Sequence, residues 1–324
     1  MEKEKVYDLI IIGTGPAGLS ASLYSSRFLV KHLVIGGIIG GTMNKAHKVE
    51  NYPGFESLSG MELADKMIEQ NKKYGTKIIN DQVVKINNNK EKEYFEIFTQ
   101  QNKESTYKSR FLILATGMEH RSLGIKGEKE FMGKGVSYCS TCDAAFFKDK
   151  EVAVVGGGNA ATMSSLLLTR YAKKVYLIYR GPKLKGEPTW NKRVAENKKI
   201  EVIYNTNITE IKGGATVEKV KLDKPYQKKD FFEVQGVFIE IGYTPSSAIA
   251  KHLGIALNKR DFIKVDKEQR TNVKNILAAG DITDKTADFK QIVNSVAEGA
   301  MAAKTVFNEK VKQEAREKRT IKYD

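Results

Sequence analysis

Only two cysteines occur in the 324 residues, Cys139 and Cys142, three positions apart. A disulfide scaffold needs more cysteines at wider spacing. A four-ligand zinc site needs two further ligands, and none of the four histidines, His32, His47, His120 and His252, stands at a metal-like spacing from the cysteines. No metal site is expected, and the pair reads as a redox dithiol. Acidic residues are also short, at 39 against 54 basic, for a net charge of +15. Phosphate binding along a nucleic acid favours a basic patch or stripe. The cations here are spread along the whole chain, and the one dense run, Lys310 to Lys322, is mixed in sign and reads as a frayed helical tail. The excess therefore describes a lysine-rich solvated surface that steers acidic partners, with no nucleic acid expected. No apolar run approaches the roughly 18 residues of a bilayer span, and the first one, Leu9 to Ile12, is too short for a signal-peptide core and has no small-residue cleavage site after it. A cytoplasmic protein without membrane contact is expected. With 41% hydrophobic and 29% charged residues, composition favours neither disorder nor membrane insertion. No low-complexity linker is present, although the length suggests two domains.

What the chain does contain is a duplication. The first copy starts with an apolar strand, Asp8-Leu-Ile-Ile-Ile12, followed by the turn Gly13-Thr-Gly15-Pro16-Ala17-Gly18, a helix from Leu19 to Arg27 and a strand from His32 to Ile35. The second copy starts at Glu151-Val-Ala-Val-Val155, turns at Gly156-Gly-Gly158-Asn159-Ala160-Ala161, carries a helix through Leu166 to Arg170 and continues as a strand from Lys174 to Tyr179. Strand, glycine turn, helix and strand in that order make a dinucleotide-binding βαβ unit. Each copy then runs into short alternating strands, Lys77–Asn80, Val83–Asn87 and Tyr94–Thr99 in one, Val202–Asn205, Val217–Leu222 and Phe231–Gln235 in the other. Each closes on an apolar strand ending in glycine, Phe111 to Gly117 and Val237 to Gly242. A final segment holds Ile276-Leu-Ala-Ala-Gly280-Asp281 and a helix from Gln291 to Phe307.

The expected fold is α/β, with two Rossmann-like three-layer domains, the second inserted into the first. Residues 1–118 and 246–324 form one, and 119–245 the other. Both joints, near Met118 to Gly127 and Tyr243 to Ser247, then cross between the same two domains, as a hinge would.

In the first turn Gly13 permits the tight bend, Gly15 lets a pyrophosphate approach the backbone and Gly18 allows close helix–strand packing, while the helix start offers N–H groups to the phosphates. The following strand ends Val34-Ile35-Gly36-Gly37 without an acid for the ribose, so that contact is unassigned. The second turn ends in alanine, which the fingerprint tolerates. Beyond its second strand lie Arg180, Lys183 and Lys185, cations that suit the 2′-phosphate of NADPH or simply form a basic surface loop. The cysteine pair follows Gly135-Val-Ser-Tyr138 and precedes Asp143, at the expected start of a short helix. Such a helix end stabilises a thiolate by about 0.3–1 kcal/mol. Asp143 is either the proton source for the leaving sulfur or an ordinary helix-start acid.

Together these residues resemble the low-molecular-weight thioredoxin reductases over nearly the whole chain. The shared blocks are Gly13 to Gly18, Glu50-Asn51-Tyr-Pro-Gly54, Ala115-Thr116-Gly117, Gly135 to Asp143, Gly156 to Gly158 and Ala279-Gly280-Asp281. The resemblance implies a cytoplasmic homodimer that passes electrons from a reduced donor through FAD and the Cys139–Cys142 disulfide to thioredoxin or a glutaredoxin-like protein. It implies FAD contacts at Gly13, Gly15, Pro16, Ala17, Gly18, Gly36, Gly40, Gly41, Thr42, Asn51, Val83, Thr116, Gly117, Gly280, Asp281, Lys290, Gln291 and Ile292. For NADPH it implies Gly156, Gly158, Asn159, Ala160, Arg180 and Lys185. By the same resemblance Cys142 would lie next to the flavin, Cys139 would attack the protein substrate and Asp143 would be the acid; with dithiol and nicotinamide site both in the inserted domain, that domain is expected to rotate so that each reaches the flavin in turn. Four departures stand out. They are Gly40-Gly41-Thr42-Met43 for Gly-Gly-Gln-Leu, Asn159-Ala160 for aspartate-serine, Asp143-Ala144 for an acid-glycine step, and Tyr179-Arg180-Gly181-Pro182-Lys183-Leu184-Lys185 for the His-Arg-Arg-x-x-x-Arg signature of NADPH. Lysine lacks the bidentate fork that suits phosphate. The donor therefore stays open between NADPH, a deazaflavin or ferredoxin, and NADH, and a flavin oxidase with an idle dithiol remains a rival reading.

Overall fold

The computed structural model describes residues 6–46, 49–89, 91–102, 107–226, 229–285 and 289–320. His47 and the end of the expected tail, Ile321 and Lys322, lie outside them. The chain divides by its own contacts into two compact units, one of residues 1–118 and 245–324, the other of residues 119–244.

The outer unit begins with β1 (Val6–Ile12), α1 (Pro16–Arg27), β2 (His32–Ile35), α2 (Gly60–Lys73), β3 (Ile78–Ile79), β4 (Val83–Asn89), β5 (Tyr94–Thr99) and β6 (Tyr107–Leu114). β1 is apolar along its length because it is central: it pairs in parallel with β2 on one side and β6 on the other. β6 begins four residues before the expected Phe111, since its first residues, Tyr107 to Ser109, pair antiparallel with β5. The helix α2 starts on a capping box, in which the Ser59 hydroxyl accepts the Glu62 N–H and the Glu62 carboxylate accepts the Ser59 N–H. The chain leaves this unit through β7 (Met118–His120).

The inserted unit contains β8 (Val136–Ser137), α3 (Ser140–Asp143), β9 (Glu151–Val155), α4 (Asn159–Leu168), β10 (Lys174–Tyr179), α5 (Pro188–Glu196), β11 (Ile200–Tyr204), β12 (Ile208–Gly213), β13 (Val217–Tyr226), β14 (Lys229–Glu233) and β15 (Gly236–Ile239). A parallel sheet in the order β11-β10-β9-β15-β8 lies beside an antiparallel sheet β12-β13-β14. One core packs the parallel sheet against that antiparallel sheet, with Val155, Ile178, Ile211, Val220 and Leu222 among its residues. A second core packs the opposite face against α4 through Val152, Val154, Leu168 and Phe238. The sequence reading missed β12, whose Thr209, Glu210 and Lys212 interrupt its apolar positions. It also carried α4 to Arg170, two residues past its end at Leu168.

The chain returns through β16 (Tyr243–Pro245), which pairs with β7, and then forms α6 (Ala248–His252), β17 (Ile276–Ala278) and α7 (Ile292–Thr320). β17 joins the C-terminal half of β6, Leu112 to Leu114. The outer unit thereby gains its layers. Leu9, Ile11, Val34, Phe111 and Ile113 pack against α1 and α7, and Ile10, Ile12, Leu112 and Leu114 pack against the β4–β5 ribbon through Ile86, Phe95 and Ile97. The tail is a correction. α7 runs for 29 residues to Thr320 instead of fraying after Phe307; Lys310 ties it to Asp8 of β1 at 3.1 Å and pairs within the helix with Glu314 at 3.3 Å. Among the described residues, no helix is long and apolar enough to cross a membrane.

Candidate functional site

The dithiol region sits where the inserted unit's parallel sheet gives way to α3. Cys139 and Cys142 form a disulfide with Cα atoms 5.3 Å apart. Cys139 is the N-cap of α3, with its Sγ accepting the Cys142 N–H at 3.2 Å. A helix start points its free N–H groups at that sulfur, which favours a thiolate there once the bond is reduced. The turn is held in front by Ser137, which is buried. Its hydroxyl accepts the Cys139 N–H at 3.0 Å and donates to Asp143 Oδ2 at 2.6 Å. Asp143 closes the single turn of the four-residue α3, so it is a first-turn acid as well as that helix's last residue, and its carboxylate accepts from the Ser137 hydroxyl. Tyr138, between Ser137 and the cysteine, donates to the buried carboxylate of Glu128. Burial, followed by that carboxylate, pushes the Tyr138 phenol well above its usual range. Glu128 also accepts the N–H groups of Leu123 at 2.8 Å and Gly124 at 2.7 Å. The sequence reading missed Ser137 and Glu128, because neither belongs to a repeating pattern and each acts through a partner chosen by the fold.

In the outer unit the first glycine turn joins β1 to α1. A Cβ at Gly13, where φ is +120°, would lie 2.0 Å from the Ala115 carbonyl oxygen, and one at Gly18 would lie 1.9 Å from the Gly13 oxygen. Both positions are closed to any other residue. Pro16 opens α1, which has no side-chain cap and no acid in its first turn, so its first N–H groups are left for an anion. The loop holding Gly36, Gly40, Gly41 and Thr42 folds over the turn. Gly40 N–H donates to the Thr14 oxygen at 2.9 Å, the Thr14 hydroxyl donates to the Ile38 oxygen at 2.7 Å, and a Cβ at Gly41 would stand 2.8 Å from the Gly15 Cα. Two glycine backbones facing one another beside an uncapped helix start fit the pyrophosphate of a dinucleotide.

Other predicted residues gather in the same unit. Thr116 donates to the Ser246 oxygen at 3.0 Å, Gly117 accepts the Ser246 N–H at 3.1 Å, and Val83 is buried on β4. Asn51 Nδ2 donates to Gln291 Oε1 at 3.0 Å, joining two segments that the sequence separates by 240 positions, and Ile292 opens α7. Gly280 and Asp281 follow β17 after Ala279. Burial raises the Asp281 carboxyl above the ordinary aspartate range, against a smaller opposing pull from Lys290. Burial likewise lowers the Lys290 ammonium, which donates to the Thr283 oxygen at 2.7 Å. The residue that fixes this loop is Glu298 on α7, absent from the sequence reading. Its Oε2 accepts both the Gly280 N–H and the Thr283 hydroxyl at 2.8 Å. An acid among the alanines and glycine of a buried helix face was the available signal.

The second glycine turn joins β9 to α4. Gly156 has φ +145°, α4 has no side-chain cap, and a Cβ at Gly158 would meet open space. Ala160 lies in the first turn of α4, while the Asn159 side chain is engaged with Glu187, donating to Oε1 at 2.9 Å and accepting its N–H at 2.6 Å. The loop after β10 folds back, with Lys185 N–H on the Gly157 oxygen at 2.6 Å. Arg180, Lys183 and Lys185 are exposed on that loop. The Tyr179 ring lies against both Gly157 and Gly181, 2.5 and 2.6 Å from where a Cβ would be.

Comparison with known proteins agrees with these features. The pyridine nucleotide-disulphide oxidoreductase family matches residues 7–299. A thioredoxin reductase of Bacillus subtilis is 40% identical over 309 residues, covering 94% of this chain and 95% of its own. The crystal structure of Lactococcus lactis thioredoxin reductase in the FR conformation superposes with a TM-score of 0.86 at 35% identity, over 93% of this chain and 98% of that one. The T. acidophilum thioredoxin reductase structure also gives 0.86, at 36% identity over 95% and 100%. The two glycine turns, the clamped Cys139–Cys142 pair and these relatives lead to one conclusion: the chain belongs to the pyridine nucleotide-disulphide oxidoreductases and, within them, to the thioredoxin reductase family.

Proposed function

We propose that this protein reduces the disulfide of thioredoxin or a similar small redox protein, with FAD in the outer unit and the Cys139–Cys142 pair as the exchanging dithiol. The observation that carries the reading is a disulfide at a helix start, held by Ser137 through the Cys139 N–H and Asp143. The turn at Gly13 to Gly18, the loop from Gly36 to Thr42, Asn51 and the Gly280–Asp281 loop would hold FAD, which when bound would supply the electron pair that opens the disulfide. One thiolate, assigned to Cys139, then attacks the partner's disulfide and forms a mixed disulfide. Cys142 displaces it, which restores the Cys139–Cys142 bond and leaves the partner with two thiols. Asp143 supplies a proton to the departing sulfur, a role its bond from Ser137 orients. The surplus of cations suits an acidic partner. A homodimer and a cytoplasmic setting belong to the same reading. Removing both cysteines should abolish thioredoxin reduction, and full turnover in that variant would refute the dithiol mechanism in favour of a flavin oxidase.

NADPH is the donor this reading favours, bound at Gly156, Gly158, Asn159 and Ala160 with its 2′-phosphate near Arg180 and Lys185. A second reading, a deazaflavin or ferredoxin donor, has its own support, since Tyr179 packs where an arginine at 181 would need room. A missing charge-assisted contact to phosphate weakens binding by roughly 1.5–3 kcal/mol, about ten- to a hundredfold. Anaerobic stopped-flow reduction with a panel of donors decides between them. NADPH should bleach the flavin only at millimolar concentration, and Lys185→Arg should lower the concentration required. No bleaching by either protein removes NADPH.

A further inference from the structure

Besides the contacts of Ser137, a second polar chain leads from the redox turn into the inserted unit. Ser140, between the two cysteines, has its hydroxyl 2.9 Å from that of Ser164 on α4, and Ser164 donates to Glu240 Oε1 at 2.7 Å. Each serine is only 6% exposed. A hydroxyl carries one proton. Ser164 gives its proton to the carboxylate, so Ser140 must donate to Ser164, and the chain runs in one direction, from the redox turn to the acid. Glu240 ends an otherwise apolar run, Val237-Phe-Ile, and its backbone lies against the second glycine turn, with its N–H on the Val155 oxygen at 2.8 Å. Burying the two serine hydroxyls is costly unless each is satisfied, and half-buried Glu240 supplies the acceptor that ends their chain.

We propose that Glu240, acting through Ser164 and Ser140, is a positioning residue that sets the reducing power of the Cys139–Cys142 pair. The proposal rests on the dithiol reading above. Two effects act in the same direction. Reduction breaks the covalent link that pins α3, and the hydrogen-bonded tie to α4 keeps the two sulfurs in re-bonding geometry, which favours the disulfide. A carboxylate at the far end of the aligned hydroxyls also disfavours negative charge on a thiolate. Both make the reduced pair give up its electrons more readily. Thr141, the other residue between the cysteines, is exposed to an intermediate degree and does not share this buried position.

The test is the equilibrium of the pair in the FAD-loaded protein with glutathione. The Cys139–Cys142 disulfide and two glutathione thiols go to the dithiol and glutathione disulfide, two electrons and two protons passing to the protein. Acid quenching, alkylation and mass measurement count the thiols. Ser164→Ala and Ser140→Ala, which cut the tie, should shift the equilibrium about tenfold toward the dithiol, equivalent to about 30 mV. Glu240→Gln keeps an acceptor for Ser164 and removes the charge, and should shift it about threefold the same way. Variants with wild-type flavin content whose equilibrium stays within about twofold of wild type, or moves toward the disulfide, overturn the proposal. So does a fall in Tm with an unmoved equilibrium, which marks the chain as structural only. If Ser164→Ala does not fold, Ser140→Ala and Glu240→Gln decide. Failure of the dithiol reading itself shows differently, as turnover that survives loss of both cysteines.

Discussion

Glu298→Ala isolates the residue that fixes the Gly280–Asp281 loop. In the wild type one carboxylate oxygen, on a side chain 5% exposed, accepts the Gly280 N–H and the Thr283 hydroxyl, and Thr283 is fully buried. Alanine leaves two buried donors without that acceptor. Each costs about 1–3 kcal/mol when unpaired, so the variant should lose roughly 2–6 kcal/mol, a large part of the roughly 5–15 kcal/mol that holds a typical domain together. Glu298→Gln retains one oxygen able to accept both bonds and should lose about 1 kcal/mol or less. Urea unfolding, with midpoint and slope both fitted, gives the stability. Flavin passing an ultrafiltration membrane gives the functional loss, since Asp281 moves with the loop. The alanine variant should release FAD far more readily than the glutamine variant. An alanine variant within about 0.5 kcal/mol of wild type that keeps its flavin refutes the reasoning and makes the carboxylate dispensable.

Gly13→Ala should yield colourless protein, because its new methyl meets a carbonyl oxygen at 2.0 Å and its φ of +120° suits glycine alone; the ratio of visible to ultraviolet absorbance reads this directly, and a normal yellow protein contradicts it. Cys139→Ser should develop a long-wavelength absorbance band from a lone Cys142 thiolate beside the flavin, while Cys142→Ser should lack it and trap a mixed disulfide with thioredoxin. The same band in both variants would equate the two cysteines. Asp281→Asn should be more stable than wild type as the solution becomes less acid. Burial raises the folded carboxyl above its unfolded value, so the folded protein keeps a proton that the unfolded chain has released. Stability is therefore lost as pH rises from the unfolded value through the raised one. In urea unfolding of flavin-stripped protein, the gap between variant and wild type should widen across that window and then level off; a pH-independent gap refutes the assignment.

The sequence reading recovered the elements whose signals are local. β10 runs from Lys174 to Tyr179 in both sequence and structure, and each glycine turn stands between a strand and a helix. What escaped it depends on partners distant in sequence. The first residues of β6 look too polar for a strand until β5 pairs with them. The last turns of α7 look like a frayed helical tail until Lys310 meets Asp8. Ser164 and Glu240 are 76 positions apart, and only the close approach of α4 and the end of β15 makes them a pair. Cys139 and Cys142 were legible because their chemistry and their contact both fit within one turn.

The way β6 divides its partners has a consequence for the order in which the nascent chain can fold. Its C-terminal half waits for β17, and α1 waits for α7, whose Val296 oxygen accepts the Ser20 hydroxyl across 276 positions. Until those last segments leave the ribosome, the apolar face around Leu9, Ile11 and Phe111 has α1 but lacks the cover of α7. The inserted unit is one uninterrupted stretch of chain, residues 119–244, and needs nothing that follows it. It can therefore condense during synthesis while the earlier-made outer sheet is still open. The part translated first is completed last, and until then its unpaired strand edges are open to aggregation.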